Sequence, residues 1–108
     1  MNDAERRAAR WYRFRGYRIL GTNVWAGGYE LDVIARRGRR LVFCEVKSKS
    51  GTRFGDPIEM VTPEKIRRIR RAADVWLARH VRDHPDCRIT FDVIVERGGW
   101  LQRLAEAF

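Results

Sequence analysis

Apolar side chains recur along the chain with two different periods, which predicts both helices and strands. Residues 62–81 carry an apolar side chain every three or four positions, with Pro63 at the first helical position. A shorter helix, capped by Asn2 or Asp3, is predicted to run to about Arg15. Both helices would bury one apolar side against a sheet.

Strands are predicted where apolar residues alternate with polar ones or form short runs. The predicted strands cover residues 17–24, 29–35, 41–47 and 88–96, with a short last strand or turn after residue 99. Residues 48–60 are predicted as a loop because they contain two glycines and a proline. The order αβββαβ predicts an α/β fold with a central mixed β-sheet flanked by helices. The length of 108 residues predicts a single domain, 1–108.

A hairpin joins the second and third predicted strands. Gly38 at the first central position of a two-residue loop is typical of a type II′ turn, which pairs Arg37 with Arg40. In that register Asp32 faces Glu45. The same face pairs Glu30 with Lys47, and the opposite, apolar face pairs Leu31 with Val46, Val33 with Cys44 and Ala35 with Val42.

Three carboxylates and one ammonium group would therefore meet at one end of otherwise buried strands. Carboxylates that face each other across a strand pair repel, and a hard divalent cation between their oxygens removes that penalty. The predicted metal ligands are Asp32 and Glu45, and the predicted ion is Mg²⁺ or Mn²⁺. Lys47 is predicted to bind a phosphate oxygen or to orient a metal-activated water. The alternative interpretation is an exposed ladder of cross-strand ion pairs.

The formal net charge of +9 is unevenly distributed. Residues 36–71 hold 12 basic and 4 acidic side chains, and Arg outnumbers Lys 20 to 3. Guanidinium groups bind phosphate oxygens in pairs, so this cluster predicts a nucleic-acid partner, although a GC-rich genome would also replace Lys by Arg. The predicted phosphate-binding residues are Arg36, Arg37, Arg39, Arg40, Lys49, Arg53, Lys65, Arg67, Arg68 and Arg71.

Several segments of the chain resemble one known family. An acid followed by Glu-x-Lys, here Asp32, Glu45 and Lys47, is the signature of the PD-(D/E)XK nuclease superfamily. Within that superfamily the chain resembles the YraN-like family of small bacterial proteins over nearly its whole length. The matching residues are Ala4-Glu5-Arg6-Arg7-Ala8, Gly16-Tyr17-Arg18-Ile19-Leu20, Asn23, Glu30-Leu31-Asp32-Val33-Ile34-Ala35, Val42-Phe43-Cys44-Glu45-Val46-Lys47, Phe54-Gly55, Lys65, Arg68, Ala72, Phe91-Asp92-Val93 and Ala107-Phe108.

The resemblance implies a restriction-endonuclease-like fold and metal-dependent nuclease chemistry, similar to that of small junction resolvases. The catalytic residues would be Asp32, Glu45 and Lys47, with Glu30 and Glu5 as further acids. Glu5 also has a simpler explanation, since a Glu in the first turn of a helix interacts favourably with the helix dipole. The chain departs from the family at two positions where Gly is usual, Tyr29 and Ala4.

The leading hypothesis is therefore a Mg²⁺-dependent endonuclease that acts on DNA, in particular on branched or otherwise structured DNA. The alternative is a non-catalytic nucleic-acid-binding or assembly protein whose acids serve only stability. A resolvase-like enzyme would need a homodimer to cut two strands. No stretch approaches the roughly 18 apolar residues of a membrane span and no signal peptide is readable, so a cytoplasmic location without a membrane partner is expected.

Overall fold

The computed structural model describes residues 1–49 and 61–108, with Lys49 as backbone only. The elements are α1 (Asp3–Phe14), β1 (Arg18–Ala26), β2 (Tyr29–Arg37), β3 (Arg40–Lys49), α2 (Pro63–His80), β4 (Arg88–Arg97) and β5 (Trp100–Leu104). The strands form a five-stranded sheet in the order β1-β2-β3-β4-β5. The predicted order αβββαβ is confirmed, and the segment after residue 99 is a fifth strand.

A polar side chain caps the start of each helix. Asn2 Oδ1 accepts a hydrogen bond from the Glu5 amide at 2.8 Å, and Thr62 Oγ1 accepts one from the Lys65 amide at 3.2 Å. Pro63 takes the first position of α2, where an N–H would have no helical partner. In the part of the chain that the structure describes, no helix is long and apolar enough to cross a membrane.

The sheet is mixed, as predicted. β3 pairs with β4 in parallel, and the other three neighbouring pairs are antiparallel. Parallel neighbours need a crossover connection, and α2 lies in the connection between β3 and β4. With α1 against one face of the sheet and α2 against the other, the α/β architecture is consistent with a restriction-endonuclease-like fold.

Two apolar clusters fill the space between the sheet and the helices. The α1-side cluster contains Ala4, Ala8, Tyr12, Tyr17, Val33, Ala35, Val42, Cys44, Val46 and Ile94. The α2-side cluster contains Ala26, Leu31, Ile34, Leu41, Phe43, Val61, Ile69, Ala72, Ala73, Trp76, Val93 and Val95. Neighbouring residues of β2 and β3 mostly enter opposite clusters, because side chains alternate along a strand.

The β2–β3 hairpin has the register predicted from its turn. Arg37 pairs with Arg40, and Gly38 between them has a positive φ of 58°, which an L-residue with a side chain rarely adopts. Regular pairing continues along the hairpin as far as Val33 and Cys44.

Asp32 interrupts the alternation and makes one predicted contact wrong. We expected Leu31 on the same face as Val33, opposite Val46. Leu31 instead lies in the α2-side cluster, whereas Val33 and Val46 lie in the α1-side cluster. Asp32 Oδ2 accepts a hydrogen bond from the Val46 amide at 2.9 Å. The Asp32 side chain thus accepts the hydrogen bond of the Val46 amide that a backbone carbonyl would accept in regular pairing. As a result, Leu31 and Val33, two positions apart, point to opposite faces of the sheet.

β3 is also longer than predicted. Ser48 and Lys49 were expected to begin a loop, but they pair with Glu96 and Arg97 of β4. The parallel neighbour satisfies their backbone groups, and this overrides the loop preference of the polar sequence.

The two ends of the sheet differ in the residues that they carry. β2 begins and β3 finishes at one end, which we call the acidic end because it carries Glu30, Asp32 and Glu45. The β2–β3 turn lies at the opposite end, which we call the turn end. Arg37 follows Asp32 by five positions along β2, a rise of about 17 Å. Since β3 and β4 are parallel, α2 must run back from the acidic end to the turn end.

A buried carboxylate connects the C-terminal residues to the core. Asp92 is 0% exposed and accepts hydrogen bonds from the Tyr12 hydroxyl at 2.6 Å and from Arg103 Nε at 3.0 Å. It also accepts one from the Glu106 amide at 3.0 Å. A charge can be buried in this way only when partners replace its lost hydration.

We expect Asp92→Ala to lower the free energy of unfolding by about 3 kcal/mol, because the half-buried Arg103 guanidinium loses its counter-charge. Tyr12→Phe removes one of three donors and should cost about 1–2 kcal/mol. Urea unfolding measures both changes. Asp74→Asn alters an exposed acid of α2 and serves as the control, with an expected change below about 0.5 kcal/mol. A loss at Asp92→Ala no larger than that of the control would contradict the structural role of Asp92.

Candidate active site

Three acids from two elements of the fold come together at the acidic end. Glu5 is on α1, and Glu30 and Asp32 are on β2. One carboxylate oxygen from each lies within 4.8 Å of the other two. Glu5 is 8% exposed and Asp32 is half-buried, so the cluster is partly removed from water. The helix-dipole explanation alone therefore does not describe Glu5, whose carboxylate lies beside two others.

Asn23 of β1 connects two of these acids. Its side-chain Nδ2 donates to Glu5 Oε2 and also to Glu30 Oε1, the latter at 2.6 Å. The Asn23 backbone has a positive φ of 51°, a conformation that Asn tolerates better than most residues. Sequence reasoning did not assign Asn23 a role. An Asn inside a strand was the available signal, but its left-handed backbone could not be predicted from it.

The environment of Asp32 disfavours its charged form. Burial and the charge of the nearby Glu45 raise the pKa of Asp32 to about 7, and Glu5 adds to this effect. The Val46 amide and the Lys47 ammonium act in the opposite direction but do not cancel it. Asp32 is therefore the carboxylate of the cluster with the most to gain from an added positive charge.

Glu45 and Lys47 lie next to this cluster on β3. Glu45 is 6% exposed, and Lys47 Nζ is 3.1 Å from its Oε1. The positive charge of Lys47 is also the main cause that lowers the pKa of Lys65, at the start of α2. Two of the three lysines of the chain thus come together beside one buried carboxylate.

Tyr29 is a second residue that sequence reasoning did not include in the site. It packs against the α2-side cluster. Burial raises the pKa of Tyr29 to about 12, and the charges of Glu45 and Asp32 contribute. The phenol is therefore neutral at physiological pH and lies beside both carboxylates.

The donor set fits a hard divalent cation. Mg²⁺ prefers oxygen ligands at about 2.0–2.1 Å in octahedral geometry, which separates adjacent ligands by about 2.9 Å and opposite ligands by about 4.2 Å. One carboxylate oxygen each of Glu5, Glu30 and Asp32 lies within 4.8 Å of the other two. A small inward movement of these side chains would bring the three oxygens to the ligand spacing of Mg²⁺. Glu45, predicted as a ligand together with Asp32, is adjacent to this group of three but not one of its members.

The predicted phosphate-binding arginines of the hairpin are far from the acids. Arg37 and its neighbours lie at the turn end, about 17 Å from Asp32 along β2. Arg36 donates to the Asp83 carbonyl at 3.1 Å, and Arg37 donates to the Arg15 carbonyl at 2.7 Å. Both side chains thus connect the turn end to neighbouring helix ends. The exposed Arg39 and the half-buried Arg40 lie at the same end.

The predicted basic residues of α2 are closer to the acidic end. Lys65 lies beside Lys47 and Glu45, and the charge of Arg68 acts on Tyr29. Arg67 and Arg71 are exposed on the same half of the helix. The predicted side chain of Lys49 and all of Arg53 lie outside the described residues and remain predictions.

Comparison with known proteins gives one consistent result. A family model described as "Uncharacterised protein family UPF0102" matches residues 4–95. A UPF0102 protein of Symbiobacterium thermophilum is 46% identical over 95 residues, which cover 87% of this chain and 79% of that protein. One from Klebsiella pneumoniae is 39% identical over 106 residues, covering 96% and 81%. One from Syntrophomonas wolfei is 41% identical over 90 residues, covering 83% and 76%. The resemblance to the YraN-like family is thereby confirmed.

We expect Asp32→Asn to stabilise the metal-free protein in a pH-dependent way. The native pKa of about 7 lies above the ordinary 3.8, so the unfolded state loses its proton first and wild-type stability falls as pH rises from about 4 to about 7. Asn cannot ionise and can still accept from the Val46 amide. In EDTA its thermal midpoint should exceed that of wild type by roughly 4 °C or more at about pH 8, and by much less at about pH 5. An equal difference at both pH values would contradict the assigned pKa of Asp32.

Proposed function

The chain belongs to the uncharacterised protein family UPF0102, and we propose that it is a divalent-metal-dependent endonuclease that hydrolyses phosphodiester bonds in DNA. The family name carries no activity, so the proposal is argued from the site. The observation that carries it is the raised pKa of Asp32 among Glu5, Glu30 and Glu45, with Lys47 in contact with Glu45. An acidic cluster can hold a divalent cation and an adjacent lysine can contact a phosphate oxygen, so together they suit metal-dependent hydrolysis of a phosphodiester.

The acids would hold the cation and the basic residues would hold the substrate. A bound Mg²⁺ or Mn²⁺ neutralises phosphate charge and lowers the pKa of a coordinated water. Asp32, Glu5 and Glu30 would ligate the ion, and the adjacent Glu45 would complete the acidic set. Lys47 would donate to a phosphate oxygen or orient the attacking water, since its Nζ already lies 3.1 Å from Glu45.

The lysines and arginines near the acidic end would hold the DNA backbone. Lys65 lies beside Lys47, and Arg67, Arg68 and Arg71 extend the positive surface along α2. The sequence carries no base-reading motif, so recognition would rest on the backbone and on DNA shape. Cutting both strands of a branched substrate would need two copies of the chain, which makes a homodimer part of the proposal.

Cleavage of labelled linear, flap and four-way DNA substrates in Mg²⁺ and in Mn²⁺ tests the proposal. Wild type should cut at least one substrate, and Asp32→Asn should lower the rate by about 100-fold or more, because a metal ligand is lost while the fold survives. Asp74→Asn makes the same chemical change at an exposed site of α2 and should retain full activity.

Metal binding can be measured without any substrate. Mg²⁺ or Mn²⁺ should raise the thermal midpoint of wild type and of Asp74→Asn, but not that of Asp32→Asn, because binding to the native state alone stabilises it. A wild type that neither cuts DNA nor gains stability from divalent ions would overturn the proposal. The protein would then be a non-catalytic nucleic-acid-binding or assembly protein, provided that it still binds DNA.

A further inference from the structure

The outward-facing side of α1 is basic and carries an exposed aromatic ring. Phe14 is 81% exposed at the last position of α1, so it has no part in the core. Exposed arginines surround it on the helix. They are Arg6, Arg7, Arg10, Arg13 and Arg15, and together with Phe14 we call them the α1 outer face. None of the phosphate-binding residues predicted from the sequence belongs to this face.

Three of these arginines keep an uncompensated charge. Arg6 pairs with Asp3 at 3.1 Å, and Arg7 pairs with Glu96 at 3.0 Å. Among residues 1–49 and 61–108, no carboxylate lies within ion-pair distance of Arg10, Arg13 or Arg15. The exposed part of α1 is thus a locally positive surface, available to an anionic ligand.

Phe14 stands between two open depressions. One, with a volume of about 320 Å³, is lined by Arg7, Arg10, Trp11, Phe14 and Leu101, among others. The other, of about 360 Å³, lies between Arg10, Arg13 and Phe14. The ring therefore forms a ridge with guanidinium groups on both sides.

Two guanidinium groups pack against the Trp11 ring. The Arg15 guanidinium lies 3.7 Å from the Trp11 ring centroid, and the Arg103 guanidinium lies 4.8 Å from it. Arg15 Nη1 also donates to the Trp11 carbonyl at 3.1 Å. These contacts hold Arg15 in place and partly cover the half-buried Trp11, so the exposed Phe14 is the more accessible ring.

We propose that the α1 outer face binds a segment of single-stranded nucleic acid, with a base stacked on Phe14 and phosphates held by Arg10, Arg13 and Arg15. Base stacking on a protein ring is sequence-tolerant and needs an unpaired base, because neighbouring bases cover both faces of a base inside a duplex. Guanidinium groups match phosphate oxygens in pairs. Both parts of the ligand thus have a partner on this face.

An anionic membrane fits the same surface less well. A helix that lies in a membrane interface buries a broad apolar side in lipid. The apolar side of α1, which includes Ala8, Ala9 and Tyr12, is already 0% exposed against the sheet. Phe14 alone would be left to enter the lipid.

α1 also connects this face with the acidic end. Glu5 lies in its first turn and Phe14 at its last position, and a helix of 12 residues is about 18 Å long. A strand bound along α1 would therefore lead toward the acids. The inference rests on the proposed function only for the class of ligand, nucleic acid, and does not require Asp32 to bind a metal.

Fluorescence anisotropy with labelled oligothymidine and with a labelled duplex, both in EDTA, tests the role of Phe14. Phe14→Ala should weaken single-strand binding by about five-fold or more, the loss of one stacked base, and should change duplex binding by less than about two-fold. Phe14→Trp should retain single-strand binding. Phe14→Leu, which stays apolar without a ring, should behave like Phe14→Ala.

The salt dependence of single-strand binding tests the arginines. Arg10→Ala combined with Arg13→Ala should lower the slope of log affinity against log salt by about 1.4, because each phosphate contact contributes about 0.7. Arg79→Ala combined with Arg82→Ala removes the same charge from exposed positions at the end of α2, on the opposite face of the sheet, and serves as the matched control. Its slope should stay close to that of wild type.

Three outcomes would overturn the proposal. The first is an equal loss of single-strand and duplex binding in Phe14→Ala. The second is an equal salt slope for the two double variants. The third is that Phe14→Ala weakens binding to anionic vesicles but leaves oligothymidine binding unchanged. The last outcome would assign the face to a membrane. Since EDTA removes any metal, a failure of the nuclease proposal leaves these results unchanged. Conversely, the α1 variants should keep the metal-induced rise in thermal midpoint if only this inference fails.

Discussion

Buried carboxylates need partners, and this requirement accounts for many of the long-range polar contacts of the fold. The buried acids and their partners are Glu5 with Asn23, Glu45 with Lys47, Asp92 with Tyr12 and Arg103, and Glu96 with Arg7 and Ser48. Asp32 differs from these four. Its bond to the Val46 amide does not offset burial and the charges of Glu45 and Glu5, so its pKa stays raised to about 7. The carboxylate left with the least compensation lies at the centre of the acidic end.

The parallel pairing of β3 and β4 decides which residues can share a site. It sends α2 back across the sheet, so the first turns of α2 lie at the acidic end and its last turns at the turn end. Lys65 therefore reaches Lys47, although 18 residues separate them in the sequence. The hairpin arginines, much closer to Asp32 in sequence, are carried to the other end. Position along a strand, rather than distance in sequence, determines the composition of the site.

The sequence predicted the features that short-range rules control. Asn2, one of the two residues expected to cap α1, does cap it, and Pro63 takes the expected first position of α2. The turn at Gly38 and the resulting pairing of Arg37 with Arg40 likewise follow from local stereochemistry. The position of Leu31 on the α2 side of the sheet could not be predicted in this way. The alternation of side chains between the two faces assumes continuous backbone hydrogen bonding, and the Asp32 side chain interrupts that bonding.

The same distinction applies to the candidate site. Asp32, Glu45 and Lys47 were accessible to sequence reasoning through the register and the Glu-x-Lys spacing. The bridge from Asn23 to Glu5 and Glu30 was not, because it depends on how α1 packs against β1. Side chains that bind within the fold are also indistinguishable in sequence from those that bind a ligand. That is why Arg36 and Arg37 were assigned to phosphate, although both donate to backbone carbonyls of the protein itself.

Attraction and repulsion of a phosphate meet at the acidic end. Under the proposed function, the net charge of +9, together with Lys47, Lys65 and Arg68 near the acids, would draw a polyanion toward this surface. The acids themselves repel it. A proton on Asp32 relieves the repulsion but removes an ionised oxygen ligand, whereas a divalent cation relieves it and keeps the ligand ionised. Because the pKa of Asp32 is about 7, a proton and a bound cation would compete for the same oxygens near neutral pH. A bound cation would therefore do two things at the acidic end: it would remove the repulsion of a phosphate, and it would supply the metal that the proposed hydrolysis uses.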